Sequence, residues 1–336
     1  MRTPKELLLA SKVFIREDRT RSWLETMGTL LAIGILFTVT FLNIPLVVRL
    51  LASFLCGLFY VRMFIIYHDF QHHAILQGSA VARSMMKIFG IFILAPQTIW
   101  KRSHDHHHTH NSKLTIHGIG SYPTISKTRY LGLTTADQRL YLINRHPFTV
   151  IFGYFTLFIY WLNVKSFCES PRKHMDSLLA LFVHIAGGAL VFYFFGLPTF
   201  IISWLTPFFL SFFIGSYLFY CQHNFPGAVF SENHDWKYDT AAVASTSFMT
   251  MHPIMHWFTG NIGYHHVHHL NSRIPFYRLP ESMRSMPELA SVTRTSWNPV
   301  EMWRCFRLKL WDAERGKMIT LRQAYQPDAL PVESIA

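Results

Sequence analysis

Residues 45–73 read PLVVRLLASFLCGLFYVRMFIIYHDFQHH, an apolar run that ends in a histidine motif. A helix needs roughly 20 predominantly apolar residues to cross a bilayer, and the part from 45 to 66 meets that length. The motif HDFQHH at 68–73 then places His68, His72 and His73 directly beyond the end of the predicted span. The stretch therefore predicts a membrane helix with a histidine-bearing site at one end.

The composition of the whole chain is typical of a membrane protein. Half of its 336 residues are hydrophobic, 30 are Phe and 15% are charged, against roughly 25% charged residues in an ordinary soluble domain. The formal charge is +12, but Lys and Arg flank apolar runs and form no dense tract, which disfavours nucleic-acid binding. The four cysteines are far apart, so we expect no zinc motif and no disulfide framework.

The apolar runs predict an all-α integral membrane fold with four transmembrane helices arranged as two hairpins. The sequence Gly196-Leu197-Pro198 marks the turn of the second hairpin. Two other runs, at 86–99 and 147–163, are short for a span, so interfacial or re-entrant helices are expected there. The four predicted spans are 27–42, 45–66, 178–197 and 199–220.

The distribution of basic residues predicts the sidedness of the fold. Neither hairpin turn carries Lys or Arg, whereas the segment 1–26 and the connection after 147–163 are basic, so both turns should face outward. The histidine motifs then share the cytoplasmic face, provided that 147–163 does not cross the membrane. We therefore predict a multi-pass domain over 27–312 with a histidine-rich cytoplasmic cap, preceded by a cytoplasmic segment and followed by a tail at 313–336.

Most of the 20 histidines fall in three motifs, at 68–73 (HDFQHH), 104–110 (HDHHHTH) and 265–269 (HHVHH). On a helix, residues spaced i, i+3 and i+4 share one face. This spacing brings together two imidazoles of the first motif and three from each of the others. The eight are His68, His72, His104, His107, His108, His265, His268 and His269.

Eight convergent imidazoles predict two metal ions, because a catalytic zinc takes about three protein ligands. A ninth candidate is His223, which follows the last predicted span in the sequence CQHN. Imidazole suits zinc, copper, iron and nickel, so the ligand type does not select the metal. His106 and His266 are rotated off the shared faces, but His106 and His110 form another i, i+4 pair, which leaves the choice within the second motif open.

The three motifs, in this order around two apolar hairpins, resemble those of the membrane fatty acid desaturase family. The context is similar as well, with WKRSHDHHHTHN around the second motif and GNIGYHHVHHLNSRIPFYRLP around the third. The similarity runs from about residue 30 to residue 312 and is closest to the delta-12 or omega-6 type, which acts near the middle of an acyl chain. It implies a centre of two non-haem irons, oxygen as oxidant, and a cis double bond introduced into an acyl chain.

The resemblance also implies roles for individual residues. The eight co-facial histidines match metal ligands of the family, and His223 matches the additional histidine found between the second and third motifs. His73 receives no role, because family members differ at this position. Asp69 and Asp105, inside the first two motifs, are candidates to hold ligand rings by accepting N–H bonds.

The partners implied by the resemblance are a lipid substrate and a source of electrons. The substrate would be a fatty acyl lipid, an acyl-CoA or an acyl-carrier protein. Nothing in the sequence resembles a fused cytochrome b5 or ferredoxin domain, so a separate donor of one of these types is expected. Membrane lipids are the remaining expected partners.

Other functions stay open at this point. A related di-iron hydroxylase of acyl, sphingolipid, carotenoid or alkane substrates also begins with C–H abstraction, and the motifs do not separate it from a desaturase. A metal transporter would need polar ligands at mid-membrane, and a haem-binding electron carrier would need histidine pairs facing across spans. Both are disfavoured, because nearly all the histidines lie beyond the span ends.

Four features outside the motifs carry structural expectations. Arg49 and Arg62 lie near the two ends of the second span, where snorkelling to the interface explains them. His184, inside the third span, should be a neutral, hydrogen-bonded helix contact. The segment 298–312 starts with Asn and Pro and predicts an interfacial helix on anionic lipid, with docking of an acidic electron donor as the alternative.

Overall fold

The computed structural model describes residues 2–114, 122–232 and 235–326, and most of them are helical. The α-helices are α1 (Pro4–Ala10), α2 (Arg19–Val39), α3 (Leu46–Gln71), α4 (Ala80–Phe92), α5 (Gln97–His110), α6 (Lys127–Leu131), α7 (Thr135–Asn144), α8 (Pro147–Ile151), α9 (Ser166–Glu169), α10 (Met175–Phe200), α11 (Thr206–Cys221), α12 (Tyr238–Ala244), α13 (Pro253–Phe258), α14 (His265–Leu270), α15 (Leu279–Ser285), α16 (Pro299–Arg307) and α17 (Leu321–Ala324). Two π-helices cover Tyr154–Lys165 and Ile201–Leu205, and three 3₁₀ turns cover Ser11–Phe14, Phe276–Arg278 and Pro287–Ser291.

Three helical stretches of the described residues are long and apolar enough to cross a membrane, namely α2, α3 and the continuous stretch Met175–Cys221. α2 begins at Arg19, ahead of the predicted start at 27, because the Asp18 carboxylate caps it by accepting from the Arg21 amide. α3 continues to Gln71 and thereby carries His68 on its last turn. The structure therefore confirms that the first two apolar runs form long helices that could cross a membrane.

The third stretch is 47 residues long, which is about 70 Å of straight helix against roughly 30 Å of bilayer hydrocarbon. It is broken at Gly196, whose φ of 77° is a conformation that glycine adopts without strain. Beyond Gly196 the chain turns back along α10, and the Trp204 indole packs against Gly187 and Gly188 of that helix. Gly196 therefore divides this stretch into an antiparallel pair, at the predicted turn.

Hydrogen bonds place the two turns at one end of the helical body and the histidine motifs at the other. The Arg49 side chain donates to the Thr40 carbonyl in the first turn and to the Thr199 hydroxyl in the second. At the opposite end, Asp176 near the start of α10 accepts from Thr98 near the start of α5. The segment between α5 and α10 therefore starts and ends at the histidine end.

The two shorter apolar runs form bent or irregular helices. α4 and α5 meet at an angle of 92°, and the Phe92 ring at the tip of α4 packs on Tyr60 of α3. α5 starts at the histidine end, where the Gln97 side chain donates to that of Gln71. The second run is divided between α8 and the 12-residue π-helix Tyr154–Lys165, whose Asn163 donates to the Leu94 carbonyl beside the bend. Both runs therefore pack inside the helical body without forming a long straight span.

Short strands in the described residues correct the all-α expectation. They are β1 (Ile125–Ser126), β2 (Phe248–Thr250), β3 (Arg294–Ser296), β4 (Leu308–Asp312) and β5 (Lys317–Thr320). The sheet order is β1-β4-β5, and β2 pairs with β3 in parallel. These strands lie in the connections and the C-terminal part, where pairing with distant segments overrides local helix preference.

The predicted interfacial helix over 298–312 is only partly correct. Asn298 caps α16 by accepting from the Val300 amide, as expected, but the helix ends at Arg307. Residues of β4 then pair antiparallel with β5, which buries Leu310 fully. Part of the predicted tail from 313 is therefore strand and helix, and residues 327–336 lie outside the described residues.

Two polar side chains of the helical body, Arg62 and His184, test further structural expectations. Snorkelling is wrong for Arg62, which is buried, forms an ion pair with Glu25 of α2 and donates to the Trp257 carbonyl. Its guanidinium also lies 3.8 Å from the centre of the Trp257 ring. The His184 expectation of a hydrogen-bonded contact is confirmed, because its Nε2 lies 2.5 Å from the Tyr154 hydroxyl.

Candidate metal centre

The ends of four helices converge where the histidines meet. His68 lies on the last turn of α3, and His72 is the residue that caps it. The second and third motifs lie on α5 and α14, and His223 follows α11 by two residues. The C-termini of α3, α5 and α11 carry partial negative charge on their free carbonyls, so their convergence favours a bound cation.

Five of the predicted ligands form one compact group. Their ring nitrogens lie within 4.8 Å of one another, and all five side chains are buried. The Nε2 atoms of His68 and His104 are 2.8 Å apart, and those of His104 and His108 are 3.1 Å apart. His268 of α14 joins them, with its Nε2 3.1 Å from that of His108. The five-histidine group is His68, His72, His104, His108 and His268.

The other four predicted ligands form a second group with the same spacing limit of 4.8 Å. The Nε2 of His223 lies 3.0 Å from that of His107 and 2.9 Å from that of His265. The four-histidine group is His107, His223, His265 and His269. The structure therefore brings together all nine predicted residues, in two adjacent groups that share the helices α5 and α14.

The unpaired nitrogens of the two groups fit metal ions. The buried Nε2 atoms of His72 and His269 have no hydrogen-bond partner among the described residues. Two neutral imidazole nitrogens that face each other share at most one proton, so several lone pairs remain unsatisfied in a buried site. Two transition-metal ions would satisfy these lone pairs, and imidazole is a ligand that iron accepts.

Burial keeps the rings outside the spanning helices in the state that binds metal. It lowers the pKa of His223, His265, His268 and His269 well below the ordinary value of 6.5, and neighbouring imidazoles lower it further. These rings are therefore neutral at pH 7, and a neutral imidazole offers a lone pair to a cation.

Four other histidines of the motifs stay outside both groups. The His106 and His110 rings stack on each other at 4.2 Å, away from the centre, so the alternative pair of the second motif is not brought into it. His266 is buried beside the Phe248 ring. His73 is exposed, with a positive φ of 59°.

The two aspartates of the motifs have different environments. Asp69 is buried, with one oxygen 3.1 Å from Nδ1 of His68 and the other accepting from the Phe276 amide at 2.6 Å. A proton on Nδ1 of His68 leaves its Nε2 free to face the group. Asp105 instead pairs with Lys101 at 2.7 Å, and its side chain is 47% exposed. The expectation that Asp105 holds a ligand ring is therefore corrected, because it lies on the outer face of α5.

A narrow apolar cavity begins at the histidines and runs between α3 and α11. His68, His104 and His265 line it at one end, and Tyr60 and Phe212 line it further along. His68 and Tyr60 are eight residues apart on α3, so the cavity follows that helix for roughly 12 Å.

Sequence reasoning missed the residues that make room for this cavity. Ser211 and Gly215 line it from α11 and are the small residues at i and i+4 in a helix otherwise rich in Phe and Tyr. A Cβ on Gly215 would meet only the Phe158 ring, at 3.9 Å. This spacing of small residues on one face is the signal that would have indicated the cavity.

Comparisons with known proteins place the chain in a family. A model of the fatty acid desaturase family matches residues 44–299. The chain is 26% identical over 334 residues to a fatty acid desaturase of Bacillus subtilis, which covers 98% of this chain and 94% of the relative.

Two further relatives belong to the delta-12 or omega-6 type that the motifs resemble. The sn-1 oleoyl-lipid 12-desaturase of Synechocystis is 24% identical over 257 residues, or 76% of this chain and 70% of the relative. The chloroplastic omega-6 fatty acid desaturase of Spinacia oleracea is 23% identical over 288 residues, or 80% of this chain and 60% of the relative. With a match that covers most of its length, the chain belongs to the fatty acid desaturase family, whose members are oxidoreductases.

Proposed function

We propose that the chain is an oxygen-dependent membrane desaturase that introduces a cis double bond into a fatty acyl chain. The observation that supports this most directly is the apolar cavity that begins at His68, His104 and His265. An extended hydrocarbon chain in this cavity would bring an unactivated CH2 group beside the ring nitrogens of both histidine groups.

The nine histidines would hold two non-haem irons. The five-histidine group would bind one and the four-histidine group the other, with Asp69 holding the His68 ring through Nδ1. With its irons bound, the centre would supply the oxygen-dependent removal of hydrogen from an unactivated CH2, which side chains alone do not perform. In the overall balance, an acyl chain loses two hydrogens, and O2 with two electrons and two protons becomes two waters.

The protein itself would hold the substrate and exclude water. Tyr60, Phe158 and Phe212 line the cavity, and its apolar walls favour a hydrocarbon over a polar ligand. The name of the relative from Synechocystis, sn-1 oleoyl-lipid 12-desaturase, refers to an oleoyl lipid, which supports a membrane lipid as the acyl carrier here.

The membrane arrangement is part of the proposal. Four crossings, by α2, by α3 and by the two arms joined at Gly196, would leave the histidine end on the cytoplasmic side, where a separate electron-donor protein reaches it. The bonds of Arg49 to both turns support this, as does the absence of Lys and Arg from the turns.

Cysteine labelling tests the arrangement. In a Cys168→Ser background, which removes the exposed cysteine among four described free ones, new cysteines near Ser112, Met175 and Ser272 should label from the cytoplasm and one at Asn43 from outside. Labelling of the Ser112 and Ser272 positions from opposite sides would exclude a shared centre.

Product analysis tests the reaction. The chain is expressed in a host that lacks polyunsaturated lipids, and double-bond positions are determined by mass spectrometry in separated lipid, acyl-CoA and acyl-carrier-protein pools. We expect a new cis double bond that appears first in the lipid pool and is absent with His268→Ala. A hydroxylated product in place of an alkene would identify the related hydroxylase, and no change in any pool would reject the proposal.

A further inference from the structure

Arg145, the residue that caps α7, is a fully buried cation whose bonds go to uncharged oxygens. Its guanidinium donates to the carbonyls of Tyr122 and Pro123 at 3.0 and 2.7 Å and to the Thr124 hydroxyl at 3.1 Å. The other side of the fork donates to the Leu308 carbonyl and to the side-chain oxygen of Asn224. A planar guanidinium with five donors is suited to fixing several chain segments at once.

Asn224 connects this guanidinium to the metal centre, because it directly follows His223. While its oxygen accepts from Arg145, its side-chain nitrogen donates to the Cys305 carbonyl at 2.6 Å and to the Leu308 carbonyl at 3.3 Å. Every polar atom of this buried amide is therefore used. The side chain has one possible orientation, because reversing the amide would set a donor against Arg145.

The residue on the other side of His223 is fixed as well. The Gln222 side chain donates to the Ile262 carbonyl at 2.9 Å, and the Gln222 backbone carbonyl accepts from the Ser247 amide at 3.2 Å. His223 thus lies between two anchored neighbours.

His223 depends on such anchoring more than the other predicted ligands do. The other eight predicted ligands lie within α3, α5 or α14 or, for His72, directly at the end of α3, so a regular helix orients them. α11, by contrast, ends at Cys221, and His223 lies in the turn beyond it. The ring must nevertheless reach both His107 and His265, at 3.0 and 2.9 Å. In a ligand site, an error of well under 1 Å in ring position weakens binding.

We infer that Arg145, acting through Asn224, is a positioning residue that holds His223 in the four-histidine group. The inference rests on the proposed function, because it assumes that this group holds an iron. It explains why a guanidinium is buried at this point with no carboxylate among the described residues to which it bonds.

Iron binding by purified full-length variants tests the inference. The variants are Arg145→Lys, Asn224→Ala and His223→Ala, with Arg62→Lys as the control. Arg62 is a second buried arginine, and its guanidinium bonds to Glu25 and to the Trp257 carbonyl rather than to a neighbour of a predicted ligand. Iron per chain and iron affinity are measured by chelator competition, and the unfolding temperature of the iron-free protein is measured in parallel.

We expect Arg145→Lys and Asn224→Ala to weaken one of two irons by about 10- to 100-fold, the usual effect of removing an outer partner of a ligand. Arg62→Lys should lower the unfolding temperature and leave both irons bound. Adding Arg145→Lys to His223→Ala should cause no further loss of iron, because both changes act through the same ligand.

If Arg145→Lys and Asn224→Ala both bind two irons with unchanged affinity, the inference is overturned and the proposed function is left intact. Equal loss of both irons in these variants would also overturn the inference and leave the proposed function intact. Wild-type protein that binds one metal or none would overturn the proposed function, and the inference with it. Asn224→Ala keeps the test open if Arg145→Lys does not fold.

Discussion

Replacing Asp69 by Asn should weaken iron binding, although the two side chains have nearly the same shape. The Asp69 carboxylate accepts two N–H bonds, from Nδ1 of His68 at 3.1 Å and from the Phe276 amide at 2.6 Å. An amide offers one oxygen and one NH2 group, so one of these two donors would face another donor. With the side chain only 1% exposed, water cannot replace the lost acceptor.

The expected magnitude follows from these two bonds. Loss of an outer partner of a metal-bound imidazole typically costs about 10- to 100-fold in metal affinity, which is about 1.4 to 2.7 kcal/mol. If the Phe276 amide loses its acceptor instead, a buried unsatisfied donor costs about 1 to 3 kcal/mol of folding free energy. The variant should therefore lose iron affinity, folding stability, or part of each.

The matched control is Asp105→Asn, the same substitution in the second motif. Asp105 is half-exposed and pairs with Lys101, and exposed pairs at i, i+4 contribute only about 0.3 to 0.5 kcal/mol. Iron affinity by chelator competition and the unfolding temperature are measured for both variants. Wild-type iron affinity and stability in Asp69→Asn, or equal losses in the two variants, would refute the reasoning.

Three further outcomes are expected. His266→Ala should keep both irons but lower the unfolding temperature, because the His266 ring is buried outside both histidine groups, whereas His268→Ala should lose iron. Iron loss in His266→Ala would contradict the placement of His266 outside the two groups. Gly215→Leu should shift turnover to shorter acyl chains at unchanged iron content, since the new side chain projects into the cavity. The control Gly34→Leu, on the open surface of α2, should leave the products unchanged. An unchanged product profile in Gly215→Leu would exclude the cavity as the acyl site. Burial and the charge of Arg145 lower the pKa of Lys309 from 10.5 to about 7, so the unfolded chain binds more protons between these values and stability should rise with pH there. The gain in unfolding temperature from Lys309→Met should accordingly be largest at or below pH 7 and shrink toward pH 10, and a constant gain would argue against the shift.

The long helices could be predicted from the sequence because burial in lipid requires long apolar runs. The break at Gly196 was also readable, since Gly followed two residues later by Pro interrupts a helix. The hairpin of β4 and β5 was not, because Leu308–Asp312 continues an amphipathic pattern and becomes a strand only through pairing with distant segments such as β1. The burial of Arg62 likewise depends on Glu25 and Trp257, which the sequence does not show to be neighbours.

The members of the candidate centre were predictable, but their division was not. Helical spacing selected eight of the nine histidines, because i, i+3 and i+4 positions share a face. The ninth, His223, was a candidate because it follows the last predicted span. His107 nevertheless belongs to a different group from His104 and His108. That division depends on how α5 crosses α14, and a one-dimensional pattern does not encode the crossing.

The division of the histidines would also give bound irons a mechanical role. Each group takes side chains from both α5 and α14, and the contact between His108 and His268 spans 160 positions of the chain. Each bound ion would therefore act as a cross-link that closes this long loop, and ligands that bind only the folded form stabilise it by mass action. Without metal, the same helices bring neutral, unpaired nitrogens together in a buried place. Assembly of the histidine end would thus be tied to iron supply, so that a cell short of iron would hold a looser and more protease-sensitive protein rather than an intact but idle enzyme.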